Sequence, residues 1–446
     1  MKKLLSGLLL LAVIAGGALA WLRGPIDETT SAALKAYPVY AFVRVRNMAL
    51  MRAVHEGDSA SNRLRPQVNL ATPRDRQVTT PNNDTLYTSA FLDLAGGPVR
   101  LTLPDLGDRY YSVAVMDART DNNFVIRETG AGAVEIRFGD GQVGRVPASD
   151  GSVRAVYATA TPQAWLLIRV LVDGPADLEA ARAAQARFAL EVPDESRRPD
   201  RAPRILPVAP DPALLLATAN PVIAESALLQ DPALAETGYG GAADAFDTLP
   251  TWRKWLWRLL LPRIFERMGV GIAAGSVVSG DGWSRTPPGI GTADASKEIR
   301  AAVALAGLGA LPAEEAVYWS ATLDSGRAEL DGAKTYRLTI PADVPARAFW
   351  SLSLYERLPD GRLFYIDNPI DRYAIGNRTP GLLWNDDGSL TIALSPAAPD
   401  AAANWLPTPQ TGPFTLIFRA YLPGPSMQDG SWRLPAVERA VERVAG

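Results

Sequence analysis

The stretch Val99-Arg100-Leu101-Thr102-Leu103-Pro104-Asp105-Leu106-Gly107-Asp108-Arg109-Tyr110-Tyr111-Ser112-Val113-Ala114-Val115-Met116 decides the fold class. Val99, Leu101 and Leu103 alternate with Arg100 and Thr102, the period-two pattern of a strand with one buried face. Pro104, Asp105, Gly107 and Asp108 then crowd together, turn formers that neither helix nor strand tolerates. A second β-favouring run, 109–116, follows at once. Working outward, 123–126, 135–138, 154–157 and 164–170 continue the texture, and 336–340, 348–355, 363–366, 389–394 and 414–422 repeat it. Asn385-Asp386-Asp387-Gly388, between 382–384 and 389–392, reads as a hairpin turn. Strands joined by turns rather than helices imply antiparallel sheets. The expected fold is α+β and mainly β: two antiparallel β-sandwich or jelly-roll domains with a helical connecting region.

Helical spacing of Ala33, Leu34, Tyr37, Ala41, Val45, Met48, Met51 and Val54 predicts a helix over 31–57, kinked or broken by Pro38. Pro175 opens a predicted helix over 176–190, and 296–308 reads as another, ending at Gly307 and Gly309. Residues 193–213, rich in Pro, Asp and Arg, read as a linker. In 252–267, Trp252, Trp255, Leu256 and Leu259 share one predicted face, with Arg253, Lys254, Arg258, Arg263 and Arg267 around the others. Such a helix either packs on the sheet, the favoured reading, or lies on an anionic membrane surface. The expected organisation is a signal or anchor over 1–20, a β domain over 31–195, a helical connection over 196–330 and a second β domain over 331–440.

Lys2 and Lys3 precede an apolar run through 4–22, the layout of a secretory signal, and Ala18-Leu19-Ala20 supplies a cleavage pattern. Export to the periplasm or cell envelope is expected, with retention as a membrane anchor if the run is not cleaved. The 446 residues carry 45 Lys and Arg, 48 Asp and Glu, no Cys and one histidine, His55. No nucleic-acid partner is expected at a formal charge of −3. Disulfides, thiolate chemistry and multi-histidine metal sites are excluded. Carboxylate, amide, phenol, hydroxyl and guanidinium groups remain.

Those groups gather in three places. Thr79-Thr80-Pro81-Asn82-Asn83-Asp84-Thr85-Leu86-Tyr87 packs amides, a carboxylate and hydroxyls just ahead of a strand, fit for local turns or for a ligand. Met116-Asp117-Ala118-Arg119-Thr120-Asp121-Asn122-Asn123-Phe124 closes a strand, where sites on β scaffolds sit. The third is Asp367-Asn368-Pro369-Ile370-Asp371-Arg372-Tyr373-Ala374-Ile375-Gly376-Asn377-Arg378-Thr379-Pro380-Gly381. It offers two guanidinium forks, and Asn404-Trp405-Leu406-Pro407 adds an indole. Asp84, Asp117, Asp121, Asp371, Asn83 and Asn122 are oxygen donors suited to Ca²⁺ or Mg²⁺, although no EF-hand pattern occurs and no cofactor is required.

These motifs resemble a known pairing. Thr80-Pro81-Asn82-Asn83-Asp84-Thr85-Leu86-Tyr87, the run from Pro104-Asp105 to Val113, Met116-Asp117-Ala118 and Val172-Asp173-Gly174-Pro175 resemble the bacterial domain of unknown function 1254. Ala348-Phe349-Trp350-Ser351-Leu352-Ser353-Leu354-Tyr355, the third cluster, Asn404-Trp405-Leu406-Pro407 and Asp429-Gly430-Ser431-Trp432 resemble its usual partner, domain of unknown function 1214. The resemblance implies paired β-sandwich or jelly-roll modules, often exported, and no reaction. It also implies that the three polar clusters contribute to a shared site. The centre departs from the family pattern: after Gly291, Thr292-Ala293-Asp294-Ala295-Ser296-Lys297 lacks the expected tyrosine.

Three functional expectations follow. The favoured one is an envelope protein binding a small polar or sugar-like ligand through Asn82, Asn83, Asn122, Asp371, Arg372, Tyr373, Arg378 and Trp405. The second is a hydrolase or lyase with Asp84 or Asp117 as general base, Tyr87 as proton donor and an arginine stabilising negative charge. The third is a structural envelope protein. Membrane contact through 4–22 and 252–267 and a homo-oligomer are compatible with each.

Overall fold

The computed structural model describes residues 2–55, 61–76, 79–127, 130–148, 151, 153–192, 203–278, 281–359, 361–401 and 403–440. For 2–21, 52–55, 270–275 and 277–278 the description covers the backbone alone. Four sheets stack in layers beside a bundle of helices. Sheet I runs in the order Arg65–Pro66, Thr85–Asp93, Gln163–Leu171, Tyr111–Asp117, Asn122–Ile126. Sheet II runs Ala189–Glu191, Val99–Leu103, Gly132–Phe138, Ala155–Thr159, Gly144–Val146. Sheet III runs Val277–Val278, Trp283–Arg285, Ala316–Ala321, Phe414–Pro423, Ala346–Arg357, Leu363–Phe364, with Ala374–Gly376 also paired to Ala346–Arg357. Sheet IV runs Asn404–Pro407, Leu390–Ser395, Tyr336–Ile340, Glu438–Arg439. Pairing is antiparallel except between Gly132–Phe138 and Ala155–Thr159 and between Leu390–Ser395 and Asn404–Pro407. Strand accounts for 30% and helix for 25%, so the fold is α+β with antiparallel sheets and only a small excess of strand over helix.

The layer order follows from what each face buries. Val99, Leu101 and Leu103 meet Val113, Val115, Leu166 and Ile168 in one core between sheets I and II. The turn at 104–108 therefore carries the chain from one sheet to the other rather than closing a hairpin. Trp319, Leu352, Leu354 and Phe418 meet Tyr336, Leu338, Ile392 and Leu394 between sheets III and IV. Sheet I's other face meets sheet III through Tyr110, Ala114, Leu171, Ala316, Phe349 and Tyr421. Sheets I and III are thus covered on both faces. Their strands Gln163–Leu171 and Phe414–Pro423 read as near-continuous apolar runs for that reason.

The helix Lys2–His55 runs on through Pro38 without the break that was one of the two expectations. Burial of Ala36, Tyr37, Val39 and Tyr40 around the proline holds the turn that lacks its N–H bond. Tyr37 Oη and Tyr40 Oη donate to the carbonyls of Val208 and Pro207, at 2.9 and 2.7 Å. This helix packs with Pro212–Ile223, Thr251–Gly275 and Lys297–Ala306, and the bundle covers Phe91, Met116, Trp165 and Leu167 of sheet I. Asp211 caps Pro212–Ile223 by accepting from Leu214 N, so helix begins inside the expected linker; 193–202 lie outside the described residues.

Three other readings need correction. In Thr251–Gly275 the buried face carries Leu256, Trp257, Leu261, Ile264 and Met268, packed on helices rather than on a sheet. Trp252 and Trp255, 40% and 58% exposed, point away from it. Residues 178–185 are helical, but Ala189–Glu191 is a strand of sheet II. The turn at 385–388 forms, with Gly388 N donating to Asn385 O, yet 382–384 is no strand: Asn404 bonds both the N–H and the carbonyl of Leu383. Among the described residues no helix is long and apolar enough to cross a membrane. The expectation for 4–22 falls almost wholly outside the described side chains.

Candidate functional site

The polar loop before strand Thr85–Asp93 is inserted against sheet III. Thr80, at φ 54°, donates its N–H to Leu363 O, and Tyr355 Oη donates to Pro81 O at 2.6 Å. Asn82 works in two directions. Its Oδ1 accepts from Asp84 N at 2.8 Å, a local turn bond, while Nδ2 donates to Tyr87 Oη at 3.2 Å and Tyr421 Oη at 3.0 Å. Asp84 Oδ2 accepts from Ser351 Oγ at 2.6 Å. Ser351 faces Arg419 across the Ala346–Arg357 and Phe414–Pro423 pair. Arg419 is 4% exposed and donates to Ser353 Oγ at 2.8 Å, Tyr355 Oη at 2.7 Å and Thr80 O at 3.3 Å.

The other wall belongs to sheet I, where Tyr87, Arg169 and Ser112 form one cross-strand row. Arg169, also buried, donates from Nη2 to Gly309 O at 2.7 Å and lies 5.3 Å from the Tyr87 ring centre. Tyr110 Oη donates to Glu315 Oε1 at 2.5 Å, and Arg127 Nε lies 3.0 Å from Glu315 Oε2. Burial pushes the Asp84 carboxyl up against the pull of Arg419 and Ser351. Burial likewise raises Glu315, opposed by Tyr110, Arg127 and Arg169. It lifts the phenols of Tyr110, Tyr365 and Tyr421 well above the ordinary tyrosine value, so they stay neutral donors at any physiological pH. Asp84, Tyr87 and Tyr318 keep accessible surface among these buried neighbours. The arrangement gathers buried hydrogen-bond donors and acceptors around one carboxyl whose proton affinity burial raises.

The other expected residues lie elsewhere. Asp84 precedes the residue paired with Leu171, whereas Asp117 pairs with Ala164. Seven strand residues separate those ends, about 23 Å at 3.3 Å per residue. Asp117 is fully buried and accepts from Arg119 Nη2 at 2.7 Å and Nε at 3.1 Å. Asp121 accepts from Arg300 Nε at 2.9 Å, also bonds Arg300 Nη2, and lies 3.4 Å from Arg119 Nε. Asn122 Nδ2 donates to Gly291 O and Ala310 O, each at 2.8 Å, which ties sheet I to the connecting region. Among the described residues no group of three carboxylates and imidazoles is arranged to hold a metal ion.

The C-terminal loop bonds mainly to itself and its neighbours. Tyr373 Oη donates to Asp371, Arg372 Nη1 donates to Trp405 O at 3.0 Å, and Trp405 Nε1 donates to Ser395 O. Arg378 crosses to the N-terminal half, donating to Asp173 from Nε at 2.7 Å and also from Nη2. Tyr373 packs on Tyr365, and Tyr365 on Tyr355, which reaches the interdomain site. Asn82, Asn83, Asp84 and Tyr87 therefore come together, with Tyr365 Oη 3.4 Å from Asn83 Oδ1. Asn122, Asp117, Asp371, Arg372, Arg378 and Trp405 do not join them. Arg169, Arg419, Tyr110, Glu315, Tyr318, Ser351, Ser353 and Tyr421 were not expected. Their signal is a lone arginine inside an apolar strand, since a buried guanidinium demands polar company.

The fold and this site define a class: two antiparallel β modules with a buried polar site between them. The sequence matches the family described as "Protein of unknown function (DUF1254)" over residues 61–192 and "Protein of unknown function (DUF1214)" over 315–425. The chain belongs to the family that carries these two domains in this order. The VPA0106 protein from Vibrio parahaemolyticus shares the fold, with a TM-score of 0.68 at 23% identity over 94% of this chain and 100% of that one. A putative uncharacterized protein from Burkholderia cenocepacia aligns at a TM-score of 0.44 and 14% identity, over 96% of this chain and 97% of its own. No curated protein matches the sequence.

Proposed function

We propose that this is an exported envelope protein that binds a small polar ligand between its two β domains, at Asn82, Asp84, Tyr87, Arg169, Arg419 and Tyr421. One observation carries the reading. Each domain buries an arginine at the same interface, beside Asp84 and a set of neutral phenols, where apolar side chains would stabilise a merely structural joint better. The finer fold reading, each half a β-sandwich of jelly-roll type, is supported by the cores shared between sheets I and II and between III and IV. A thermal-shift screen of the full chain against sugars, polyols, organic acids and phosphate esters tests the site. A saturating hit should raise the melting temperature by several degrees, vanish in Asn82→Ala and Tyr421→Phe, and survive in Arg372→Gln. No hit from any class would leave the structural role.

The enzymatic reading attaches to the same atoms, because burial raises the proton affinity of Asp84 and Ser351 touches its carboxylate at 2.6 Å. Asp84→Asn should then keep binding of the hit and lose its turnover. Export rests on Lys2, Lys3 and the apolar run that follows. Membrane contact is favoured by exposed Trp252 and Trp255, on a helix that Arg253 ties to Glu28 of the N-terminal helix at 2.7 Å. Cell fractionation should recover the chain with the envelope, starting at Trp21 if cleavage follows Ala20, and Trp252→Ala/Trp255→Ala should loosen it. Recovery from the cytosol with Met1 in place would sink both ideas.

A further inference from the structure

Arg169 asks for something the protein does not give it. On its strand, Leu166, Ile168 and Val170 enter the core shared with sheet II, while Trp165 and Leu167 on the opposite face enter the helical cluster. Arg169 is the one charged residue of that strand, and it is 4% exposed. Its Nη2 reaches the Gly309 carbonyl, but its Nη1 is buried without a partner. No carboxylate among the described residues accepts a hydrogen bond from it: Glu315 gives Oε1 to Tyr110 and faces Arg127 with Oε2. Ser112, directly opposite Arg169 on the neighbouring strand, has a buried hydroxyl beside the Tyr110 phenol. Residues so paired hold their Cβ atoms about 5 Å apart on one face of a sheet. An unused guanidinium nitrogen therefore stands beside a serine hydroxyl in the wall of the interdomain site.

Around them stand the hydroxyl groups of Tyr87, Tyr110, Tyr318 and Tyr421. Towards Asp84 the character changes, with a carboxylate and two amides, Asn82 and Asn83, that accept as well as donate. One end of the site suits an anion and the other suits hydroxyls.

Resting on the ligand-binding reading above, we propose that Arg169 is the anion receptor of the site and that its ligand is a small hydroxylated carboxylate, such as a sugar acid. The carboxylate is received by Arg169 Nη1 and Ser112 Oγ, and the hydroxyls point to Asn82 and Asp84. A carboxylate gives the buried Nη1 the hydrogen-bond acceptor it lacks.

Calorimetric titration of the full chain at constant ionic strength tests this with gluconate and glucuronate against sorbitol, glucose and inorganic phosphate. At least one sugar acid should bind about tenfold or more tighter than its neutral counterpart. Arg169→Gln should abolish that preference, Arg169→Lys should restore part of it, and Ser112→Ala should weaken the acid about three- to tenfold. Ser112→Ala carries the test if the arginine variants do not fold. Equal binding of acid and neutral probe, lost in Asn82→Ala, would overturn the carboxylate and leave the ligand site standing. Phosphate binding tighter than either acid would overturn the carboxylate as well. If no probe binds, both readings fall.

Discussion

Arg419→Ala is expected to cost about 3–5 kcal/mol of stability, the range for removing one partner from a buried charged network. The substitution deletes the donors to Ser353, Tyr355 and Thr80 O and leaves a void in a site that sheet III cannot close. It also strips Asp84 of the guanidinium that most opposes the effect of its burial, so the carboxyl rises further and takes up a proton nearer neutrality. Asp84→Asn removes that uncompensated charge while keeping an acceptor for Ser351. In the Arg419→Ala background it should therefore recover about 1–2 kcal/mol, a coupling typical of residues in one network. Urea unfolding of the two single variants and the double variant at pH 7 measures it. A loss under about 1 kcal/mol for Arg419→Ala, or strict additivity with Asp84→Asn, would mean that the two arms of the site do not sense each other.

How much of this was legible from the residues depends on how many faces a strand buries. Val99–Leu103 has one face against sheet I, and its alternation is written plainly in the sequence. Gln163–Leu171 and Phe414–Pro423 are covered on both faces, so the alternation vanishes and each reads as an apolar run with one arginine in it. Those two arginines build the site, and periodicity cannot find them. The loop from Thr79 to Tyr87 shows a different limit. A local turn and a ligand site look like rival readings of its letters, yet Asn82 does both, spending its oxygen on Asp84 N and its nitrogen on Tyr87 and Tyr421. The clusters around Asp117 and Arg372 use the same residue types and are closed by Arg119, Arg300 and the Trp405 carbonyl. Composition does not distinguish an open cluster from a closed one, because distant partners reach both: Ser351 and Tyr421 in the first case, Arg300 in the second.

That closed cluster should make stability depend on pH in an unusual direction. Asp121 is almost wholly buried, and burial first, then the charge of Asp117, pushes its carboxyl up to about 6 against the pull of Arg300 and Arg119. In the unfolded chain the same group titrates near its usual 3.8. Between those values the folded state holds a proton that the unfolded state has lost, so stability is greatest on the acid side and falls as pH rises through the window. The gap corresponds to about 3 kcal/mol at most. Asp84 and Glu315, also raised by burial, act with the same sign. Asp177 and Asp231, lowered by their bonds to Arg109 and Lys35, contribute stability that is present above 3.8 and lost only as pH falls through their lower folded values, so they do not cancel the effect within the window. Asparagine at 121 imitates the protonated acid and still accepts from Arg300. Urea midpoints at pH 4.5, 5.5, 6.5 and 7.5 should therefore fall with pH in the native protein and fall by about 1–3 kcal/mol less in Asp121→Asn. Parallel profiles would mean that Asp121 is already ionised throughout the range, held by its two arginines more firmly than its burial allows.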